Sequence, residues 1–127
     1  MVGFRVYLYM RRLILLAPFL IGCRDILGLE TCQAYFAYGI QVRAVQAVTH
    51  DTIAENVRAI AVSGSYADTA SGPGGGYLPL AGERSGIYTL TLDAAGFQTW
   101  TRTNVIVTKD RCHVRPVRLD AYMVPVP

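Results

Sequence analysis

The sequence predicts an all-β sandwich, and three observations predict it. Apolar and polar residues alternate with a period of two in segment after segment, those segments recur every ten to fifteen residues with turn residues between them, and no stretch of useful length carries the spacing of an amphipathic helix. A chain of 127 residues has room for one such domain.

The first strand runs through Ile40, Val42, Ala44 and Gln46, alternating with Gln41, Arg43 and Val45. Thr49-His50-Asp51-Thr52 is a turn, because Asp and Thr side chains bond local backbone. In the second strand Val57, Ala59 and Ala61 share one face, and Arg58, Ile60 and Val62 the other. Ser63 to Tyr77 contains Gly72-Pro73-Gly74-Gly75-Gly76 and is expected to be a flexible loop. A short strand over Tyr77 to Leu80 precedes the turn Ala81 to Gly86. Ile87, Thr89 and Thr91 then alternate with Tyr88, Leu90 and Leu92 up to Ala94-Ala95-Gly96, and Phe97 to Val107 is the next strand. Lys109-Asp110 turns the chain, and His113 to Tyr122 closes the series. Six segments are explicit, within a range of six to eight strands for the fold.

Ahead of the domain, residues 1 to 22 have the parts of an export signal in order: basic Arg5, Arg11 and Arg12, an apolar run from Leu13 to Ile21 broken by Pro18, and small Gly22. The apolar run falls short of the ~20 residues a membrane-spanning helix needs. Leu20-Ile21-Gly22-Cys23 resembles the lipobox of bacterial lipoproteins, which implies diacylglycerol on the Cys23 sulfur and cleavage before it. Ile21 is a less usual residue at its position. Arg24 after the cysteine, by the same resemblance, does not signal inner-membrane retention, which implies an outer-membrane destination. Residues 23 to 31 are then the lipidated cysteine and a tether, 32 to 122 the sandwich, and 123 to 127 a proline-rich, solvated tail.

Charge and cysteines are read against that division. The formal charge of +3 disappears once the three arginines of the signal are removed, leaving nine basic and nine acidic side chains. No basic face remains for a nucleic acid. Three cysteines are an odd number for an exported chain. If Cys23 carries lipid, Cys32 and Cys112 remain, and outside the cytoplasm a disulfide between them is favoured over two buried thiols or metal ligands. With two histidines in the chain, a zinc site is disfavoured.

Three stretches taken in order carry a resemblance: Ser85-Gly86-Ile87-Tyr88-Thr89-Leu90-Thr91-Leu92, Ala94-Ala95-Gly96-Phe97, and Asp110-Arg111-Cys112-His113-Val114. Together they resemble the carboxypeptidase regulatory-like domains, over about residues 32 to 122. The resemblance implies a seven-stranded antiparallel Greek-key sandwich of transthyretin-like fold, and in a group of bacterial lipoproteins a Cys-His-Val strand start with an earlier partner cysteine. The residues themselves suit such roles. Tyr88 is placed to bury its ring and offer its hydroxyl at the sandwich edge, and Gly96 permits a left-handed turn that folds Phe97 back as a cap.

No catalytic centre is expected. There is no His-x-x-Glu or His-Glu-x-x-His around His50 or His113, no Gly-x-Ser-x-Gly, and no Gly-Lys-Ser/Thr after the glycine run. The carboxy-terminal Tyr-Arg-Gly-Ser of the hydroxyisourate hydrolases that share the transthyretin-like fold is also missing. No cofactor and no metal are expected. His113 is read as a strand-start residue bonding a turn with Asp110, with a ligand or pH sensor as the alternative. Glu83 and Arg84 are read as a solvated turn pair. The leading expectation is a lipid-anchored binding or assembly module of the cell envelope, partnered by the membrane and by an envelope protein or glycan. Candidate binding residues are Trp100, Tyr77, Gly74, Gly75 and His113, with Tyr66 as a further aromatic; sugar binding through the aromatics is the alternative, and a small hydrolase the least favoured.

Overall fold

The computed structural model describes residues 31–127. The expected signal, Cys23 and nearly all of the tether lie outside the described residues. The chain divides after Cys32, and the unit described below is Gln33–Pro127. It has seven strands: β1 (Tyr38–Gln46), β2 (Asn56–Ser63), β3 (Tyr66–Pro73), β4 (Leu78–Gly82), β5 (Gly86–Ala94), β6 (Trp100–Val107) and β7 (Val117–Met123). Among the described residues there is no helix. The strands form a three-stranded sheet of order β4-β1-β7 and a four-stranded sheet of order β3-β2-β5-β6.

Period-two alternation supplies the core from both sheets. Ile40, Val42 and Ala44 on β1, Leu78 and Leu80 on β4, and Ala121 and Met123 on β7 face Val57, Ala59 and Ala61 on β2 and Tyr88, Leu90 and Leu92 on β5. Across the β2–β5 pair, Ala59 stands opposite Leu92 and Ala61 opposite Leu90. Small beside large on neighbouring strands of one sheet leaves room for side chains of the facing sheet, so that the layer between them fills. Tyr88 is fully buried, and its hydroxyl donates to the Arg84 carbonyl at 2.9 Å, as its place on the strand predicts. Gly96 takes φ +82°, and Phe97 packs against the core.

The chain departs from expectation in several places, each with a local cause. Ser63 to Tyr77 is not a loop: β3 occupies Tyr66–Pro73 and pairs antiparallel with β2 along its whole length, from Ser63↔Tyr66 to Asn56↔Pro73. Gly64, at φ +58°, opens the two-residue turn of this hairpin. The strand was hidden because its alternating residues are small and polar rather than apolar, as suits a sheet edge.

β1 and β7 run parallel, from Ile40↔Val117 to Gln46↔Met123, so the sheets are not antiparallel throughout. A hairpin forces antiparallel pairing, but β7 reaches β1 from the other sheet through a long connection that imposes no such constraint. The β6 strand begins at Trp100 rather than Phe97, and β4 spans Leu78–Gly82 rather than Tyr77 to Leu80. The last strand begins at Val117 rather than His113, after Pro116, which has no N–H to give a ladder.

The carboxy-terminal residues are not a solvated extension. Met123 is fully buried at the end of β7. Beyond it Gln98 N–H donates to the Val124 carbonyl (2.8 Å), Val126 N–H donates to the Gly96 carbonyl (3.0 Å), and Pro125 bridges Phe97. The tail thus pairs with the β5–β6 turn.

Candidate functional site

Inward placement of Ile40, Val42 and Ala44 turns Gln41 and Arg43 to the outer face of the three-stranded sheet. The parallel register of β7 then sets Arg118 beside Gln41 and Asp120 beside Arg43. Arg43 Nε and Nη2 donate to Asp120 Oδ1 and Oδ2 at 3.1 and 2.9 Å, a two-pronged pair. Arg118 Nε donates to Gln41 Oε1 at 2.9 Å. Tyr77, one residue before β4, brings its ring to both cations: the guanidinium carbons of Arg43 and Arg118 lie 5.1 and 5.3 Å from its centroid. Tyr122, half exposed on β7, meets His50 edge-on at 5.7 Å.

The Asp120 hydrogen bonds push the Arg43 guanidinium further above its already high range, with the Coulombic fields of Asp120, Tyr77 and Tyr122 adding to them. Both partners are about one-third exposed, so the pair is screened and adds little to stability. Its effect is orientation. Two guanidinium forks are held in place with N–H groups left over, flanked by tyrosine hydroxyls, on an open sheet face. Such a surface can accept planar anionic groups and sugar hydroxyls.

A second cluster lies around His113. Asp110 Oδ1 accepts the backbone N–H of Cys112 (2.8 Å) and of His113 (2.9 Å), closing a tight turn that aims the imidazole at the segment before β1. The predicted link between His113 and Asp110 is thus made through backbone. His113 Nδ1 lies 2.9 Å from Glu83 Oε1, and Nε2 lies 2.8 Å from the Gln33 carbonyl. The Tyr35 ring stacks on it at 3.9 Å. Glu83 is no solvated turn residue: Oε1 also accepts the Ala37 N–H at 2.7 Å, and the Glu83 N–H donates to the Ala37 carbonyl at 2.8 Å. Arg84, its neighbour, lies over the Tyr66 ring at 4.1 Å. Cys32 and Cys112 are both disulfide-bonded, as the cysteine count led one to expect.

The remaining sequence candidates do not converge. Trp100 and Tyr66 pack against the core from β6 and β3, and no ring contact among the described residues joins either to Tyr77. Gly74 is buried and tied by backbone on both sides, its N–H to the Glu55 carbonyl (3.0 Å) and its carbonyl to the Ala44 N–H (3.2 Å). Gly75 is exposed, next to Thr52. Sequence reading missed Gln41, Arg43, Arg118, Asp120 and Tyr122 as a group. Their polar positions on the alternating strands were visible, but the Arg43–Asp120 and Gln41–Arg118 contacts each join residues 77 apart through the parallel pairing. Among the described residues no group of three or more His, Cys, Asp or Glu is placed to hold a metal ion. No protein-family model matches the chain, and no curated protein matches it.

Proposed function

We propose that this protein is a lipid-anchored, non-catalytic binding or assembly module of a bacterial cell envelope, and that it engages its ligand through the outer face of the β4-β1-β7 sheet. The observation that carries the proposal is the pair of fixed guanidiniums, Arg43 and Arg118, on the Tyr77 ring. Cations held in place lose little freedom on binding, which favours recognition of carboxylates. A glycan bearing carboxylates suits this face best, since tyrosine and Gln41 supply contacts for its hydroxyls. The non-catalytic reading is supported by His113, whose two ring nitrogens are both taken up within the protein, by Glu83 and by the Gln33 carbonyl, rather than turned toward a substrate. The carboxypeptidase regulatory-like identity belongs to the same proposal; seven strands in two sheets are compatible with it.

Titration with polygalacturonate against neutral dextran tests the ligand class, read by calorimetry. The acidic polymer is expected to bind and dextran to bind weakly or not at all. Arg118→Ala, which removes one charge-assisted contact, is expected to weaken binding by about tenfold. Equal binding by wild type and the Arg118→Ala, Tyr77→Ala double variant would remove this face from the account.

The anchor has its own test. Cys23→Ala is expected to abolish labelling by a radioactive fatty acid and to move the protein out of the membrane fraction. Labelling that persists in the variant would refute the lipid on Cys23, and fractionation of inner from outer membrane reads the proposed outer-membrane destination.

A further inference from the structure

We propose that His113 is a proton-operated clasp: with both ring nitrogens protonated it pins residues Gln33 to Tyr35, which follow the disulfide-bonded Cys32, onto the sandwich, and on losing one proton it loosens them. The reasoning rests on hydrogen-bond inventory. Nδ1 faces a carboxylate oxygen and Nε2 faces a carbonyl oxygen, neither of which can donate. A neutral imidazole has one N–H and one lone pair, so it satisfies only one of these contacts and sets its lone pair against the other. Only the imidazolium satisfies both.

The geometry also decides which contact fails. The Glu83 carboxylate carries a full charge and holds the Nδ1 proton more strongly than a neutral carbonyl holds the one on Nε2. Deprotonation therefore takes the Nε2 proton and turns a lone pair toward the Gln33 carbonyl. That carbonyl already accepts the Tyr35 N–H at 2.9 Å, so the same event disturbs Tyr35. The stacking of Tyr35 on the ring weakens too, because it gains from the cation. Ala37 is not affected in the same way. Its N–H and carbonyl are held by Glu83, so residues 33 to 36 loosen between two fixed points, Ala37 and the disulfide-bonded Cys32. This segment carries Tyr35 and Phe36, both more than half exposed, next to Tyr38. Proton release thus alters the order of an aromatic surface.

Charged and titratable groups meet the ring from each side. Glu83 comes from the β4–β5 turn, Asp110 from the ring's own turn, and Tyr35 from the segment, while Arg111 flanks the ring in sequence and Arg115 acts on Asp110. The Glu83 hydrogen bond, then the Gln33 carbonyl, raise the His113 pKa above its ordinary value against a smaller opposing effect of burial. Glu83 is held low by its bonds from Ala37 and His113, so it stays charged across this range. The sign follows: the clasp is fully engaged below the ordinary imidazole value of ~6.5 and is lost as pH rises through the higher folded value.

The test is NMR of the oxidised full-length chain across pH 5 to 9, observing the His113 ring nitrogens and the Gln33 to Ala37 amides. The expected result is a His113 midpoint above that of free imidazole, with the Tyr35 amide shifting at the same midpoint and the Ala37 amide moving less. Glu83→Gln, which keeps an acceptor but removes its charge, is expected to lower the midpoint. His113→Gln is expected to abolish the step at Tyr35. A midpoint at or below the ordinary value, a Tyr35 amide that does not follow the ring, or a midpoint unmoved in Glu83→Gln would each overturn the clasp. Should His113→Gln fail to fold, the Glu83→Gln arm and the wild-type titration still decide.

Discussion

Tyr88→Ala is expected to remove about 3–5 kcal/mol of folding stability, the cost of deleting a fully buried aromatic ring and leaving its cavity. The ring belongs to the buried core cluster, flanked on its own face by Leu90 and meeting Tyr66 edge-on. Its hydroxyl reaches the Arg84 carbonyl, so the substitution also strips that carbonyl of a donor. Domains of this size have about 5–15 kcal/mol in total, and the variant would therefore sit close to unfolding at ordinary temperature. Tyr88→Phe separates the two contributions. It keeps the ring and loses only the hydroxyl bond, for about 1 kcal/mol. Urea denaturation followed by Trp100 fluorescence measures both. A Tyr88→Ala loss no larger than that of Tyr88→Phe would mean that the ring is not a core element.

Gly74→Ala is expected to cost about 1–3 kcal/mol, by overpacking rather than by any change of backbone preference. A β-carbon there would lie 2.6 Å from the Ile53 carbonyl oxygen and 2.9 Å from Val57 Cγ2. The oxygen belongs to backbone that cannot retreat freely, because the Ile53 N–H is bonded to the Ala44 carbonyl and Gly74 itself is bonded to Glu55 and Ala44. Relief would break one of these bonds. Gly75→Ala is the matched control: its β-carbon would approach Thr52 no closer than 3.5 Å, an ordinary contact, and near-neutral stability is expected. Thermal unfolding of the two variants side by side checks the contrast. Equal effects would show that the glycine run is not a packing point.

That contrast explains why the glycine run was misread. Composition alone makes Gly72 to Gly76 a flexible loop, and nothing in the order of the residues says that Ile53 will sit against Gly74. The same holds for Glu83, whose charge and turn position suggest solvent, until Ala37 and His113 are brought to it by folding.

Wherever information is carried by neighbours in the chain, the order of residues was enough to read the outcome. Period two grouped Val57, Ala59 and Ala61 on one face and Tyr88, Leu90 and Leu92 on one face, and Gly96 marked its turn, because side-chain direction in a strand and a positive φ are local properties; which face of β2 is the core came from the fold. The odd cysteine count likewise led to the disulfide-bonded Cys32 and Cys112. Tertiary structure alone decided the parallel pairing of β1 with β7, the docking of the carboxy-terminal residues, and both clusters of functional interest. Arg43 meets Asp120 and His113 meets Gln33 across roughly eighty residues, and such meetings depend on strand order and register, which no local pattern encodes.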